Sequence, residues 1–380
     1  MVLLKYLLCL IPFFKPFYIS QFNVLNQIYN ILQIFIAFFI IINFIKNKKL
    51  SKPLFFILVL EGILFISSFM NGLNLSDTIK NLIQTITLCM LIENFINTNP
   101  RKLFLALKII FSILVIIDFI FVLKYPTGIR IGLYNVWFFG AKNSQIVFIL
   151  PALFVIYIYN FVMYKSNKWK LLEFLILLII SFYILFMVDS VTSIVVMLLF
   201  FILLLLHCNN WYKSISMKTI SIIYFILFLS LTVFQFQNYF SDFFVNVLEK
   251  DVTFTGRTII WEDTMEYIIQ QPILGYGLEP SQIRVVKLND RAALNSHNMI
   301  LEILYNGGIL LFIIFLLFWK YLCQNVDNFS KNNSPILKSI LIVYLVELMF
   351  EVLAFEQILW ILVLINYLSK KGGEILNVTK

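Results

Sequence analysis

His297 and Arg257 are the side chains in this sequence best suited to move a proton and to hold a polyanion. A histidine's ordinary pKa, about 6.5, lets it take and return a proton near neutrality. His297 is one of only two histidines, and it follows Ser296, a residue type that starts helices; this predicts a helix opening near Ser296 with His297 in its first turn. There it could point into a cavity between a loop and a helical bundle, or simply begin a surface helix. Arg257, Arg284 and Arg291 lie in the same polar stretch. A guanidinium is a planar fork of donors that matches phosphate and keeps its charge in a partly dry site. Each hydrogen bond to a charged group contributes about 1.5–3 kcal/mol, so two arginines could hold a diphosphate and stabilise it as it leaves. Arg257 could instead pair with Glu262, and Arg291 with Asp290. Arg257 has the stronger case, because it sits in the first turn of a predicted helix whose positive end attracts anions. Arg130 and Lys142, in IRIGLYNVWFFGAKN, could complete a basic mouth or serve as interfacial anchors.

The elements that must position these residues are almost all apolar. Of the 380 residues 61% are hydrophobic and only 13% charged, far from the composition of a water-soluble core. A membrane crossing needs about 20 apolar residues. About twelve runs approach that length: Val2–Phe14, Leu25–Ile45, Pro53–Phe69, Ile79–Ile96, Leu103–Leu123, Gln145–Tyr164, Leu171–Val188, Val191–Leu206, Thr219–Phe236, Ile309–Leu322, Ile340–Phe355 and Ile358–Leu368. The net charge of +9 is concentrated in short links after every second run. About nineteen of the 29 lysines and arginines fall on the side of the two termini, which predicts cytoplasmic termini. The polar stretch Asp251–Gly308 then faces outward. No basic stripe interleaved with stacking aromatics appears, which argues against nucleic acid.

Within that stretch, Gly256–Gln271 reads as an amphipathic helix stopped by Pro272. Ile260, Trp261, Thr264, Met265 and Ile268 share one side, and Trp261 and Tyr267 are expected at headgroup level. The helix after Ser296 is expected to pass through or break at Gly307-Gly308, since Ile309–Leu322 alone reaches only about 21 Å. Three regions follow: residues 1–236, an N-terminal transmembrane bundle; 237–297, an outer loop with surface helices; and 298–380, C-terminal transmembrane helices and a cytoplasmic tail.

Carboxylates inside apolar runs offer a competing chemistry. Glu61, Asp118, Glu347 and Glu351 are costly in lipid and should face the bundle interior. Glu347 and Glu351, one turn apart on a helix face, would suit a proton-coupled transporter, or could be protonated packing residues. Cys9, Cys89, Cys208 and Cys323 are widely spaced and read as small apolar core residues. No P-loop, metal-ligand cluster or Gly-x-Ser-x-Gly elbow is present, so no metal and no cofactor are expected. Asp189-Ser190 at a tight turn could be a site or a cap.

GRTIIWEDTMEYIIQQPILGYGLE, followed by SHNMILEILYNGGILLFIIFLL, resembles the signature region of the O-antigen ligase and repeat-unit polymerase superfamily. The shared features are Gly-Arg with a following Trp, a Pro-x-x-Gly-x-Gly turn, and His-Asn opening a helix with a glycine soon after. FFGAKNSQIVFILPAL resembles that family's Gly-x-x-Asn stretch. The resemblance implies metal-independent glycosyl transfer from a polyprenyl-diphosphate-linked oligosaccharide on the outer face of a bacterial cytoplasmic membrane. His297 matches the histidine taken as base or acceptor-positioning residue, and Arg257 the arginine taken to engage diphosphate. Arg284, Arg291, Arg130, Asn298 and Tyr276 are the further candidates for binding the diphosphate or glycan. One departure stands out: where many members carry an arginine after the serine before the eighth span, this chain reads Asp189-Ser190-Val191-Thr192.

The expectation is therefore an all-α polytopic membrane protein of about twelve transmembrane helices, GT-C-like, with a large outer loop before the tenth. Its expected activity is polymerisation of lipid-linked repeat units into a capsular or O-antigen-type polysaccharide. A ligase moving a finished glycan, and a transporter of lipid-linked glycan, are the alternatives. Membrane lipid, a flippase and a chain-length regulator are the expected partners.

Overall fold

The computed structural model describes residues 2–47, 50–132, 134–164, 167–206, 210–236, 256–287, 294–332 and 335–377. It is mostly helical. Seven helical stretches among the described residues are long and apolar enough to cross a membrane: Asn23–Ile45, Lys52–Met70, Leu75–Thr98, Pro100–Lys124, Lys142–Val162, Lys168–Met187 and Met299–Ser330. Val2–Phe13, Val191–Leu206 and Met217–Val233 are shorter apolar helices. Two more, Ile336–Phe350 and Phe355–Asn377, complete the bundle.

Polar residues between the apolar runs set where helices begin. Ser51, Asn99, Asn167 and Ser216 each accept a hydrogen bond from a first-turn backbone amide. Pro53 and Pro100 stand in the first turns of two of these helices, where their missing N–H costs nothing. The helices carry exposed apolar faces, with Ile31, Ile34, Phe38, Ile179 and Phe186 all uncovered. Outward-facing side chains of this kind suit contact with lipid.

The C-terminal helices are not a separate body. Met299–Asn332 packs on Lys52–Met70, Phe355–Asn377 on Leu75–Thr98, and Ile336–Phe350 on Val191–Leu206. Ion pairs reinforce the packing away from the candidate site: Lys108 with Glu173 at 2.7 Å, and the buried Lys338 with Asp327 at 3.6 Å. Among the described residues the strands form one short antiparallel hairpin, Ile129–Ile131 with Tyr134–Val136.

The expected break at Gly307-Gly308 falls at Gly308, whose backbone leaves the helical region (φ 61°, ψ −161°). A Cβ there would run into the backbone of Ile273. The break orphans backbone groups, and the loop from Pro272 to Gly277 takes them over. Pro272 O accepts from Ile309 N (2.8 Å), while Tyr276 N and Gly277 N donate to Tyr305 O and Asn306 O (2.8 Å each). Gly275 (φ 63°) brings this loop against the helix, where a Cβ would meet the Tyr305 carbonyl. Ser67, Ser68 and Asn71, near the end of Lys52–Met70, then bind the same loop at Gly275 O and Leu278 N.

Candidate active site at one end of the bundle

The helix carrying Arg257 runs Arg257–Gln270, one residue shorter at each end than the sequence suggests. Gly256 precedes it in the left-handed conformation (φ 86°). Trp261 does not face outward as expected of a headgroup contact: it is fully buried, packed with Phe228, Ile300, Leu301 and Met349. Its indole N–H donates to Ser296 O at 2.9 Å. The apolar side chains expected to face lipid thus fasten this helix to the segment that carries His297.

The helix after that segment starts at Met299, and its cap is Asn298 rather than Ser296. Asn298 Oδ1 accepts from Ile300 N (3.0 Å) and Leu301 N (3.2 Å), while its amide donates to Met349 O (3.0 Å). Ser296 serves Glu302 instead, giving its backbone N–H and hydroxyl to Glu302 Oε2 at 3.0 and 2.9 Å. His297 therefore lies just before the helix, not in its first turn. Its backbone is left-handed (φ 48°), which is uncommon outside glycine and costs of order 1–3 kcal/mol. Asn295 Oδ1 holds it there, accepting from His297 N at 2.8 Å.

Arg257 and His297, about forty residues apart, meet on Glu351. Ile336–Phe350 ends at its C-cap, Glu351, whose backbone is extended (φ −138°, ψ 154°). Glu347 and Glu351 therefore do not form a pair on one helix face. Glu347 stays buried in the bundle, and Glu351 turns into the site. Arg257 Nη2 donates to Glu351 Oε1 at 2.6 Å and Nη1 to Phe350 O at 2.6 Å. Asn143 Nδ2 donates to the same Oε1 at 2.6 Å. His297 Nδ1 stands 3.5 Å from Oε2, an ion-pair distance. Ser190 extends the network, donating its hydroxyl to Asn143 Oδ1 at 3.0 Å. Asp189, beside it, is left-handed (φ 55°), so the Asp189-Ser190 turn is an arm of the site as well as a turn between helices.

The other candidates stand apart from this carboxylate. Arg284 is buried, its Nη1 on Glu302 Oε1 at 2.7 Å and its guanidinium over the Tyr305 ring at 4.0 Å. Tyr276 is buried beside it, stacked on Tyr305 with centroids 4.8 Å apart, its hydroxyl given to Tyr267 O. Burial raises the Tyr276 phenol above its ordinary pKa, with Tyr267 and Glu279 adding to the shift, so it stays protonated. Arg130 is exposed on the hairpin, opposite Asn135. Lys142 is exposed too, while its neighbour Asn143 turns inward. Arg291 lies outside the described residues. Sequence reasoning weighed Glu351 only as a transporter or packing carboxylate and Ser190 as a site or a cap, and it did not single out Asn143, although Asn143 closes the Gly-x-x-Asn stretch.

Chemically, the cluster offers an imidazole backed by a carboxylate and a guanidinium sharing that carboxylate. The two bonds from Arg257 use two of its five N–H donors. Among the described residues no group of three or more His, Cys, Asp or Glu side chains could hold a metal ion.

The family model described as O-Antigen ligase matches residues 174–316, a stretch that holds Ser190, Arg257, Arg284 and His297. No curated protein matches the chain. The motifs, the polytopic helical fold and this match agree, and over residues 174–316 the chain is similar to the O-antigen ligase family.

Proposed function

We propose that this chain is a membrane glycosyltransferase that polymerises polyprenyl-diphosphate-linked repeat units into a surface polysaccharide on the outer face of a bacterial cytoplasmic membrane. The observation that carries the reading is the convergence of Arg257 and His297 on Glu351. The outward orientation is supported by the basic links, which fall at the opposite ends of the helices from the site. Outside the cell no nucleotide-sugar is at hand, so a donor must arrive already activated on lipid.

In the reaction, His297 Nε2 accepts the proton of an acceptor hydroxyl while Glu351 faces Nδ1 and steadies the imidazolium. The acceptor oxygen bonds to the anomeric carbon of the donor glycan. The bond from that carbon to the diphosphate oxygen breaks, and the polyprenyl diphosphate leaves with the electron pair. The remaining donors of Arg257 stabilise the charge that grows on it, and the imidazolium returns its proton to water. General-base help of this kind contributes about 10²–10⁴ in rate, and oriented donors on the leaving group add a comparable factor.

The test is His297→Ala in cells, with membrane insertion checked. Polymer should disappear and single repeat units accumulate; normal polymer length in an inserted variant would sink the mechanism. Unattached polymer in place of single units would indicate a ligase. The transporter reading keeps one observation, the Glu347 carboxylate, both of whose oxygens are buried with no hydrogen-bond partner among the described residues. It requires Glu347→Gln to abolish activity while His297 and Arg257 are dispensable.

A further inference from the structure

Beside the Glu351 cluster lies a cavity of 260 Å³. Its walls come from the Lys52–Met70 and Leu75–Thr98 helices, the start of Met299–Asn332, and the link that follows Glu351. Glu61, Glu302 and Glu356 line it together with the amides of Asn81, Asn295, Asn306 and Gln357 and the Thr85 hydroxyl, and apolar side chains make up the rest. Among the described residues, no lysine, arginine or histidine lines it.

The carboxylates are not equivalent. Glu302 is engaged by Arg284, Ser296 and Asn306. Glu61 is only 2% exposed, and its Oε1 is buried with no hydrogen-bond partner among the described residues. Leaving a buried acceptor unsatisfied costs about 1–3 kcal/mol, more for a charged group. The residue that carries this costly atom is one of those that line the cavity. Nine residues separate Glu61 from Met70, so the cavity reaches about 13 Å below that helix end.

The lining selects the ligand. Glu302 is already paired with Arg284, and among the described residues no cation lines the cavity, so nothing there would hold a diphosphate or the carboxylate of an acidic sugar. Carboxylates and amide oxygens accept from O–H and N–H groups, and Leu64, Met299 and Ile303 offer an apolar wall to C–H groups. A pyranose ring presents both surfaces. Sites for drug-sized ligands run about 300–1,000 Å³, so the volume here suits one ring and excludes an oligosaccharide. The position fits as well. Asn295, which lines the cavity, is the residue whose side chain holds the His297 backbone, and Val352, also in the lining, adjoins Glu351.

We infer that this cavity seats the terminal ring of the acceptor, a neutral or amino sugar rather than a uronic acid, with Glu61 accepting a hydrogen bond from a ring hydroxyl or ammonium. The inference rests on the glycosyl-transfer reading and names the acceptor class for it. In this arrangement the diphosphate stays with Arg257 and the sugar ring with Glu61, which keeps two polyprenyl-linked substrates apart.

Saturation-transfer NMR on the full chain in nanodiscs tests it, using methyl glucoside, galactoside and mannoside, methyl 2-amino-2-deoxyglucoside and methyl glucuronide as probes. At least one neutral or amino glycoside should bind, and the glucuronide should not. Glu61→Gln, which keeps the shape of the side chain, should weaken binding at least tenfold. Thr85→Trp, which fills the cavity from a residue 1% exposed, should abolish it. Binding of the glucuronide as tight as the others, unchanged binding in both cavity variants, or no binding by the wild type overturns the inference. Any of these together with loss of polymer in His297→Ala removes the sugar seat and leaves glycosyl transfer standing. Binding as expected together with normal polymer in His297→Ala does the reverse.

Discussion

Replacing Glu351 with glutamine changes one charge at the point where the candidate residues meet. Arg257 and Asn143 both donate to Oε1 at 2.6 Å, and the glutamine carbonyl can occupy that place and keep both bonds. A bond to a charged partner contributes about 1.5–3 kcal/mol and one between neutral groups about 0.5–1.5, so folding should lose only about 1 kcal/mol. The chemistry should lose far more. The amide N–H₂ would stand opposite His297 Nδ1, where Oε2 stood at 3.5 Å. It donates to Nδ1 and so fixes the tautomer with the proton on Nε2, the nitrogen that must accept. The anion facing the imidazolium is lost as well. At an effective dielectric near 20, opposite charges about 4 Å apart attract by about 4 kcal/mol. Arg257 already shares the carboxylate, so roughly half of that is available to the imidazolium. With about 1.4 kcal/mol per decade of rate, plus the tautomer effect, the expected fall is about 10²–10⁴. Single-turnover transfer in nanodiscs measures it, with thermal unfolding followed in parallel. A properly inserted Glu351→Gln whose rate stays within threefold of wild type would refute the reasoning. Glu351→Ala should instead be a folding lesion of about 3 kcal/mol, because it leaves the largely covered Arg257 guanidinium without its carboxylate. The Arg257→Ala, Glu351→Ala double variant should recover part of that loss.

Two further outcomes follow from the frame around the site. Gly308→Ala should reduce the folded fraction in fluorescence-detected size exclusion, since a Cβ meets the Ile273 backbone and the left-handed conformation costs about 1–3 kcal/mol; a wild-type elution profile with unchanged melting would contradict the interlock. Arg284→Ala should lower the melting temperature sharply, because Glu302 is then buried without its cation at a cost of about 3–5 kcal/mol. Unchanged stability with a raised KM for the donor would instead assign Arg284 to the diphosphate.

The sequence makes the helices legible because each apolar run is long and each break between runs is polar. Ser51, Asn99 and Asn167 sit in those breaks and cap the next helix a few residues ahead of where the apolar pattern starts. The break at Gly308 was legible for a similar reason, since two successive glycines interrupt a run too short to stand alone. The candidate pair of Arg257 and His297 was readable from residue chemistry and motif order. Their shared partner was not, because Glu351 sits on a pattern that is helical up to Phe350 and gives no local sign of where the chain turns. Nothing in the sequence says that the turn brings Glu351 to Arg257, an interaction across 94 positions. Trp261 misled for a related reason: an amphipathic helix does not say which neighbour covers its apolar face, and here that neighbour is the Ser296–Leu301 segment rather than the lipid surface. At the start of the last long span, Ser296 and Asn298 are both good caps by type, and only the competing demand of Glu302 on Ser296 decides between them.

The seam at Gly308 divides one long helix into a mechanical couple. Above it, residues 299–307 are bonded to the Pro272–Gly277 loop, and through Trp261 and Ser296 to the helix of Arg257. Below it, the chain continues as an ordinary apolar rod. Helices accommodate changes in bilayer thickness by tilting, and a continuous rod would carry every degree of tilt to its tip. Here the rod turns at Gly308 beneath a unit that the Pro272–Gly277 loop holds by backbone hydrogen bonds, so the helix start that follows His297 is braced by that loop and not by the rod alone.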